Sequence, residues 1–158
     1  MVGRQHHYRV ALSWTGNTGR GTASIDDYSR NHVVIGIGKP PIPASSDAAF
    51  RGDPTRWNPE EMLLASLSSC HQLWYLALCA QNGILVRTYE DDAEGWMHED
   101  ADGAGQFIRV LLRPHASLAV AADKPRALEL HREANAKCFI ARSVNFRIEH
   151  EPRFTLLR

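Results

Sequence analysis

Three side chains stand out as carriers of chemistry: the thiols of Cys70, Cys79 and Cys138. A deprotonated thiol is the nucleophile, metal ligand and redox centre of protein chemistry. An odd, low cysteine count argues against structural disulfides and leaves catalytic, redox-active or simply buried thiols. Cys70 follows Ser68-Ser69 and precedes His71 inside a long apolar stretch. Taken alone it reads as a core thiol as readily as a nucleophile, because free cysteines are among the most buried residues. Cys79 is nine residues further on. At about 100° per helical residue it faces elsewhere, so it does not pair with Cys70 and is read as inert. Cys138 follows Cys70 by 68 residues, and spacing alone does not bring the two together.

Other chemistries find little support. There is no Cys-x-x-Cys and no His-Glu-x-x-His, and the eight histidines are scattered, so no metal is expected. His131 lies seven residues before Cys138 and shares a helical face with it, but two ligands do not make a site. Gly16-Asn17-Thr18-Gly19-Arg20-Gly21 is not followed by a lysine-bearing helix, so it reads as a turn and not a phosphate cradle. There is no Gly-x-Ser-x-Gly. A Cys/His acyl-transfer hydrolase using His71 or His131 as base is one alternative, although His71 points about 100° away from Cys70 on a helix.

The elements that must position these thiols follow from pattern and punctuation. Tyr8, Val10, Leu12 and Trp14 alternate, predicting a strand over about residues 6 to 14. Further strands are expected over Gly21 to Tyr28 and His32 to Ile37, and a long loop from 38 to 57. Asn58-Pro59-Glu60-Glu61 is a helix start: a capping side chain, a proline at the first position and an acid at the third. The stretch then runs without proline or glycine to Asn82-Gly83, and its few charges predict a helix buried on most sides and too short and serine-rich to span a membrane. Ile84 to His98 and Gln106 to Leu118 are expected to form a hairpin about a turn at 99–105. Asp123-Lys124-Pro125 opens a second helix to about Lys137, with Ala127, Leu130, Ala134 and Cys138 on one face, and a last strand covers Val144 to Glu149.

Composition agrees with one ordinary α+β domain spanning 1–158. Hydrophobic residues make up 44% and charged residues 23%, and 18 basic residues balance 18 acidic ones. A balanced charge disfavours nucleic acid or an anionic membrane as a partner. The N-terminal stretch from Met1 to His7 lacks the apolar run of a secretory signal, and a cytoplasmic location is expected.

The stretch Asn58-Pro59-Glu60-Glu61-Met62-Leu63-Leu64-Ala65-Ser66-Leu67-Ser68-Ser69-Cys70-His71 resembles the OsmC/Ohr family of thiol peroxidases. The interval of ten residues from Glu60 to Cys70 is that of the family's glutamate and reactive cysteine. Leu130 to Val144, with Cys138 ending a helix, is similar to the family's second signature. The resemblance covers nearly the whole chain and implies an OsmC-like α+β fold, with antiparallel sheets around long central helices in an intertwined homodimer. It implies Cys70 as the peroxidatic thiol, Cys138 as its disulfide partner, Glu60 as the acid that orients an activating arginine, organic hydroperoxides as substrate and a lipoyl-type or other dithiol as reductant. No resident cofactor is implied. The Ohr branch places its arginine in the first turn, where this chain has Arg20; Arg51 and Arg56 in the long loop compete for the role. Phe139 stands where Ohr proteins often have proline.

The physics asks for such a cation. Burial in an apolar helix raises a thiol's pKa above its usual value near 8.5. The helix N-terminus lies roughly 18 Å from Cys70 and does not offset that. An arginine stabilises the thiolate and donates hydrogen bonds to the peroxide as its oxygens gain charge. Ten residues of helix put Glu60 about 15 Å from the Cys70 that follows it, so Glu60 and the arginine are expected to serve Cys70 of a partner chain. Trp57, Leu67, Leu73, Trp74 and Phe139 are candidates to line an apolar substrate pocket, each equally readable as core packing. The alternative from another class is a non-catalytic stress-response protein binding an apolar ligand at the dimer interface.

Overall fold

The computed structural model describes residues 3–156; Met1 and Val2, read above with the N-terminal stretch, lie outside them. The chain divides into two compact units, Met1–Met62 and Leu63–Arg158.

In the first unit, β1 (Ala11–Trp14), β2 (His32–Ile35) and β3 (Ile42–Ala44) form an antiparallel sheet in chain order. The meander is sparser than its alternating residues predict. The strand expected over 6–14 shortens to β1, and Gly21–Tyr28 forms turns closed by a single bridge between Asn17 and Tyr28. The cause is local: Asn17 Oδ1 accepts from the backbone N–H groups of Gly19 and Gly21, occupying donors a strand ladder would need. The long loop is not structureless, since it holds β3 and a short 3₁₀ turn over Ala48–Phe50.

Helix α1 (Pro59–Gln81) starts where the capping residues place it. Asn58 Oδ1 accepts from the Glu61 N–H at 2.7 Å while Glu61 Oε2 accepts from the Asn58 N–H at 3.3 Å, a reciprocal capping box. Gly83, at φ 70°, supplies the left-handed residue that stops it.

In the second unit, three long strands are each broken at a corner and so build two sheets. The first runs as β4 (Val86–Asp91) and β5 (Glu94–Glu99), the second as β6 (Gly105–Leu112) and β7 (Pro114–Leu118), the third as β8 (Arg147–His150) and β9 (Arg153–Leu156). One sheet has the order β4-β7-β9 and the other β5-β6-β8. Arg113 sits at the corner of the middle strand and pairs with Glu94 and Glu151 at the corners of the other two. The hairpin expected from the sequence is present, but the sheets are mixed, not purely antiparallel. Strands β8 and β9 run parallel to β6 and β7, because helix α2 (Lys124–Lys137) carries the chain back across before they form.

The core joins α1, α2 and these sheets. Tyr75, Leu78 and Cys79 of α1 pack with Ala127, Leu130 and Ala134 of α2 and with Ala116 and Leu118 of β7. Leu67, Val110 and Leu112 form a second cluster with Ile140, Val144 and Ile148 beside it. The reading of α1 as buried on most sides is corrected here. Only one face is covered, and Ala65, Ser69, Leu73, Ala77 and Ala80 form an open stripe, with Leu73 68% exposed. Sparse charge marks a helix that is apolar all round, not one that its own chain covers. With an 18-residue stretch of mean hydropathy 1.2 inside its 23 residues, α1 is also long and apolar enough by composition to cross a bilayer, contrary to its reading as too short; its buried face here is a core face.

Candidate active site

Cys70 stands midway along α1 and Cys138 caps the C-terminus of α2 in extended backbone at φ −65°, ψ 116°. Helices α1 and α2 bring the two free thiols near enough to influence one another: Cys70 is half-buried, Cys138 is 1% exposed, and Cys70 helps to raise the Cys138 pKa. Burial, then the neighbouring Cys70 side chain, pushes the Cys138 thiol up to about 11. Cys138 is therefore protonated at neutral pH. Its sulfur also accepts from the backbone N–H of Ala141 at 3.3 Å, a bond made possible by the 3₁₀ turn at Ala141–Ser143.

Around this pair the structure sorts the sequence candidates. Trp74, one turn beyond Cys70, meets Phe139, the neighbour of Cys138, edge to face at 5.9 Å between ring centroids. Phe139 is 65% exposed and forms an apolar wall beside the thiols. Leu67 is instead packed in the core with Val110 and Leu112 and offers no free surface. Trp57 lies in the first unit, half exposed at a shallow cavity of about 240 Å³ lined also by Pro54, Thr55, Arg56 and Glu61.

The candidate cations are all engaged locally. Arg20 pairs with Asp27 at 3.2 Å, Arg51 with Asp26, and Arg56 with Asp53 at 3.3 Å. None of them bonds Glu60, whose buried Oε2 has no hydrogen-bond partner among the described residues. One cation near the aromatic wall escaped the sequence reading: the Lys137 ammonium lies 5.6 Å from the Trp74 ring centroid.

Sequence reasoning also missed a buried imidazole cluster. His71 and His131 hydrogen-bond at 2.9 Å between Nε2 and Nδ1. His150, at the end of β8, lies 4.4 Å from His71 between ring centroids, and Tyr75 stacks on His131 at 3.8 Å. Burial first, then mutual repulsion, drives His71 down to about 3; burial, then His150, does the same for His131; burial lowers His150 to about 4. All three are neutral near pH 7. His131 and His150 also reach the wall of a surface cavity of about 540 Å³ with Leu128, Glu129 and Arg132. The spacing of His131 from Cys138 was the only sequence signal for this cluster, and it does not reveal His150, which arrives on strand β8. No group of three metal-ligating side chains is arranged to hold an ion among the described residues.

Comparison with known proteins places the chain. The family model described as OsmC-like protein matches residues 52–153. An OsmC-like protein of unknown function from Vibrio cholerae O1 biovar eltor superposes with a TM-score of 0.83 at 27% identity, over 94% of this chain and 99% of that one. The uncharacterized protein YmaD of Bacillus subtilis (strain 168) is 23% identical over 147 residues, 91% of this chain and 90% of its own length. An organic hydroperoxide resistance protein from Elizabethkingia anophelis matches with a TM-score of 0.64 at 16% identity, over 98% of this chain and 100% of that one. At that identity the likeness is one of fold.

Proposed function

The chain belongs to the OsmC-like protein family, and from that premise we propose that it is a two-cysteine peroxidase that reduces organic hydroperoxides to alcohols. The observation that carries this reading is the nearness of a half-buried thiol in mid-helix to a buried, protonated thiol at the end of a second helix. The Cys70 thiolate attacks the O–O bond; with one proton taken up, an alcohol leaves and Cys70 becomes a sulfenic acid. The Cys138 thiol condenses with it, forming the Cys70–Cys138 disulfide and releasing water. An external dithiol, of lipoyl or other type, restores both thiols by exchange and leaves as its own disulfide. Trp74 and Phe139 favour an organic over a mineral peroxide by offering apolar surface beside the sulfurs.

The activating guanidinium, from Arg20, Arg51 or Arg56, and Glu60, whose free carboxylate oxygen orients it, act together on Cys70 of a partner copy. The open stripe of α1 supports a homodimer, since an apolar helix face of small residues and Leu73 is suited to a second copy. A cytoplasmic setting, where thiols stay reduced, belongs to the same reading.

The test is consumption of cumene hydroperoxide with a dithiol present. Cys70→Ser should abolish turnover. Cys138→Ser should complete one stoichiometric turnover and then stall with a bulky dithiol. An unchanged rate in Cys70→Ser overturns the reading. A parent that binds but does not consume hydroperoxide would instead indicate an apolar-ligand protein.

A further inference from the structure

We propose that the His71–His131 pair fixes the approach of Cys70 to Cys138, making both histidines positioning residues for disulfide formation. This rests on the two-thiol reading above but is separable from it by experiment.

The pair ties together the two helices that carry the cysteines. His71 is the residue after Cys70, and His131 lies two helical turns before Cys138, about 20° off its face by helical rotation. Their bond joins α1 directly to α2 within the core, at 1% and 2% exposure. Around it the packing is made by Leu78, Ala127, Leu130 and Ala134, side chains with no directional preference. Such a contact tolerates small rotations and slides of one helix on the other. A ring-to-ring hydrogen bond does not, because it has a preferred length and angle.

Three further observations support the assignment. Tyr75 stacks on His131 and His150 lies against His71, so both rings are clamped in orientation. The outer nitrogens, His71 Nδ1 and His131 Nε2, have no partner among the described residues, so the pair has no alternative bond to relax into. Both rings are held neutral by burial, which leaves one proton for the shared bond.

Amide isosteres test this with positional selectivity. Glutamine places its terminal amide near an imidazole Nε2, and asparagine near Nδ1. His71→Gln and His131→Asn therefore keep a bonding group in place, whereas His71→Asn, His131→Gln and His71→Leu do not. The readout is the equilibrium of the reduced protein with oxidised glutathione, which gives the Cys70–Cys138 disulfide and two reduced glutathiones. Alkylation mass shifts measure the fractions. The misplaced or apolar variants should lose about tenfold or more in effective thiol concentration, the size expected for one buried hydrogen bond, while His71→Gln and His131→Asn stay near the parent. With one equivalent of cumene hydroperoxide, dimedone should trap more Cys70 sulfenic acid in the misplaced variants. If His71→Gln is no better than His71→Asn, or His71→Leu matches the parent, the proposal is wrong. Should His71→Leu fail to fold, the Gln and Asn comparisons decide. If the parent consumes no hydroperoxide, the peroxidase reading falls while the glutathione equilibrium still decides this one.

Discussion

Acidification should unfold this protein through its buried imidazoles. His71, His131 and His150 are held near 3, 3 and 4, against an ordinary value of 6.5. In the unfolded chain each returns to that ordinary value, so on lowering the pH the unfolded state takes up protons first. The stability these rings contribute is complete above about pH 7 and is lost as the pH falls toward 4. Each proton of difference changes stability by about 1.4 kcal/mol per pH unit. Between pH 7 and pH 5 that is roughly 2 kcal/mol for each ring and about 5 to 6 kcal/mol for all three. A domain of this size holds about 5 to 15 kcal/mol in total, so the loss is decisive. Asp91 acts in the opposite sense, since burial raises its pKa and folding then favours proton uptake. The assay is equilibrium urea unfolding at pH 7, 6 and 5, with protein concentration fixed because any oligomer makes stability concentration-dependent. His131→Asn removes one titrating ring and should lose about 2 kcal/mol less over the same interval. A loss in the parent under about 1 kcal/mol, or an equal loss in the variant, refutes the reasoning.

Two further outcomes follow from local contacts. Ser68 Oγ donates to Oδ2 of the half-buried Asp91 at 2.5 Å, tying α1 to the corner of the first broken strand; Ser68→Ala should cost about 1 to 3 kcal/mol in thermal unfolding, because the carboxylate stays half-buried and loses its donor. Asn58→Ala removes one arm of the capping box and should cost about 0.5 to 2 kcal/mol in urea unfolding, with α1 fraying from its first turn in hydrogen exchange.

What the sequence made legible is what is decided locally. The start of α1 was readable because Asn58, Pro59 and Glu61 act within one turn, and its stop because Gly83 tolerates positive φ. The arms of the hairpin and the buried face of α2 were readable from periodicity. The corners were not, since Arg113 meets Glu94 and Glu151 only after three distant segments align. The first strands were overcalled because alternation says nothing about Asn17 capturing neighbouring amides. At the candidate site, Cys70 and Cys138 were singled out by resemblance rather than by spacing, because 68 residues of separation carry no local signal. The histidine cluster needed three elements at once, and only the interval from His131 to Cys138 hinted at it.

The parallel placement of β8 and β9 bears on how the protein is made. Each is an outer strand of a different sheet, and each pairs with a strand laid down before α2. On the ribosome, β6 and β7 must therefore wait with one edge bare until residues 147–156 have emerged. Both sheets close in a late step that follows synthesis of these last strands, and a nascent chain stalled before that point presents two unpaired edges to its neighbours.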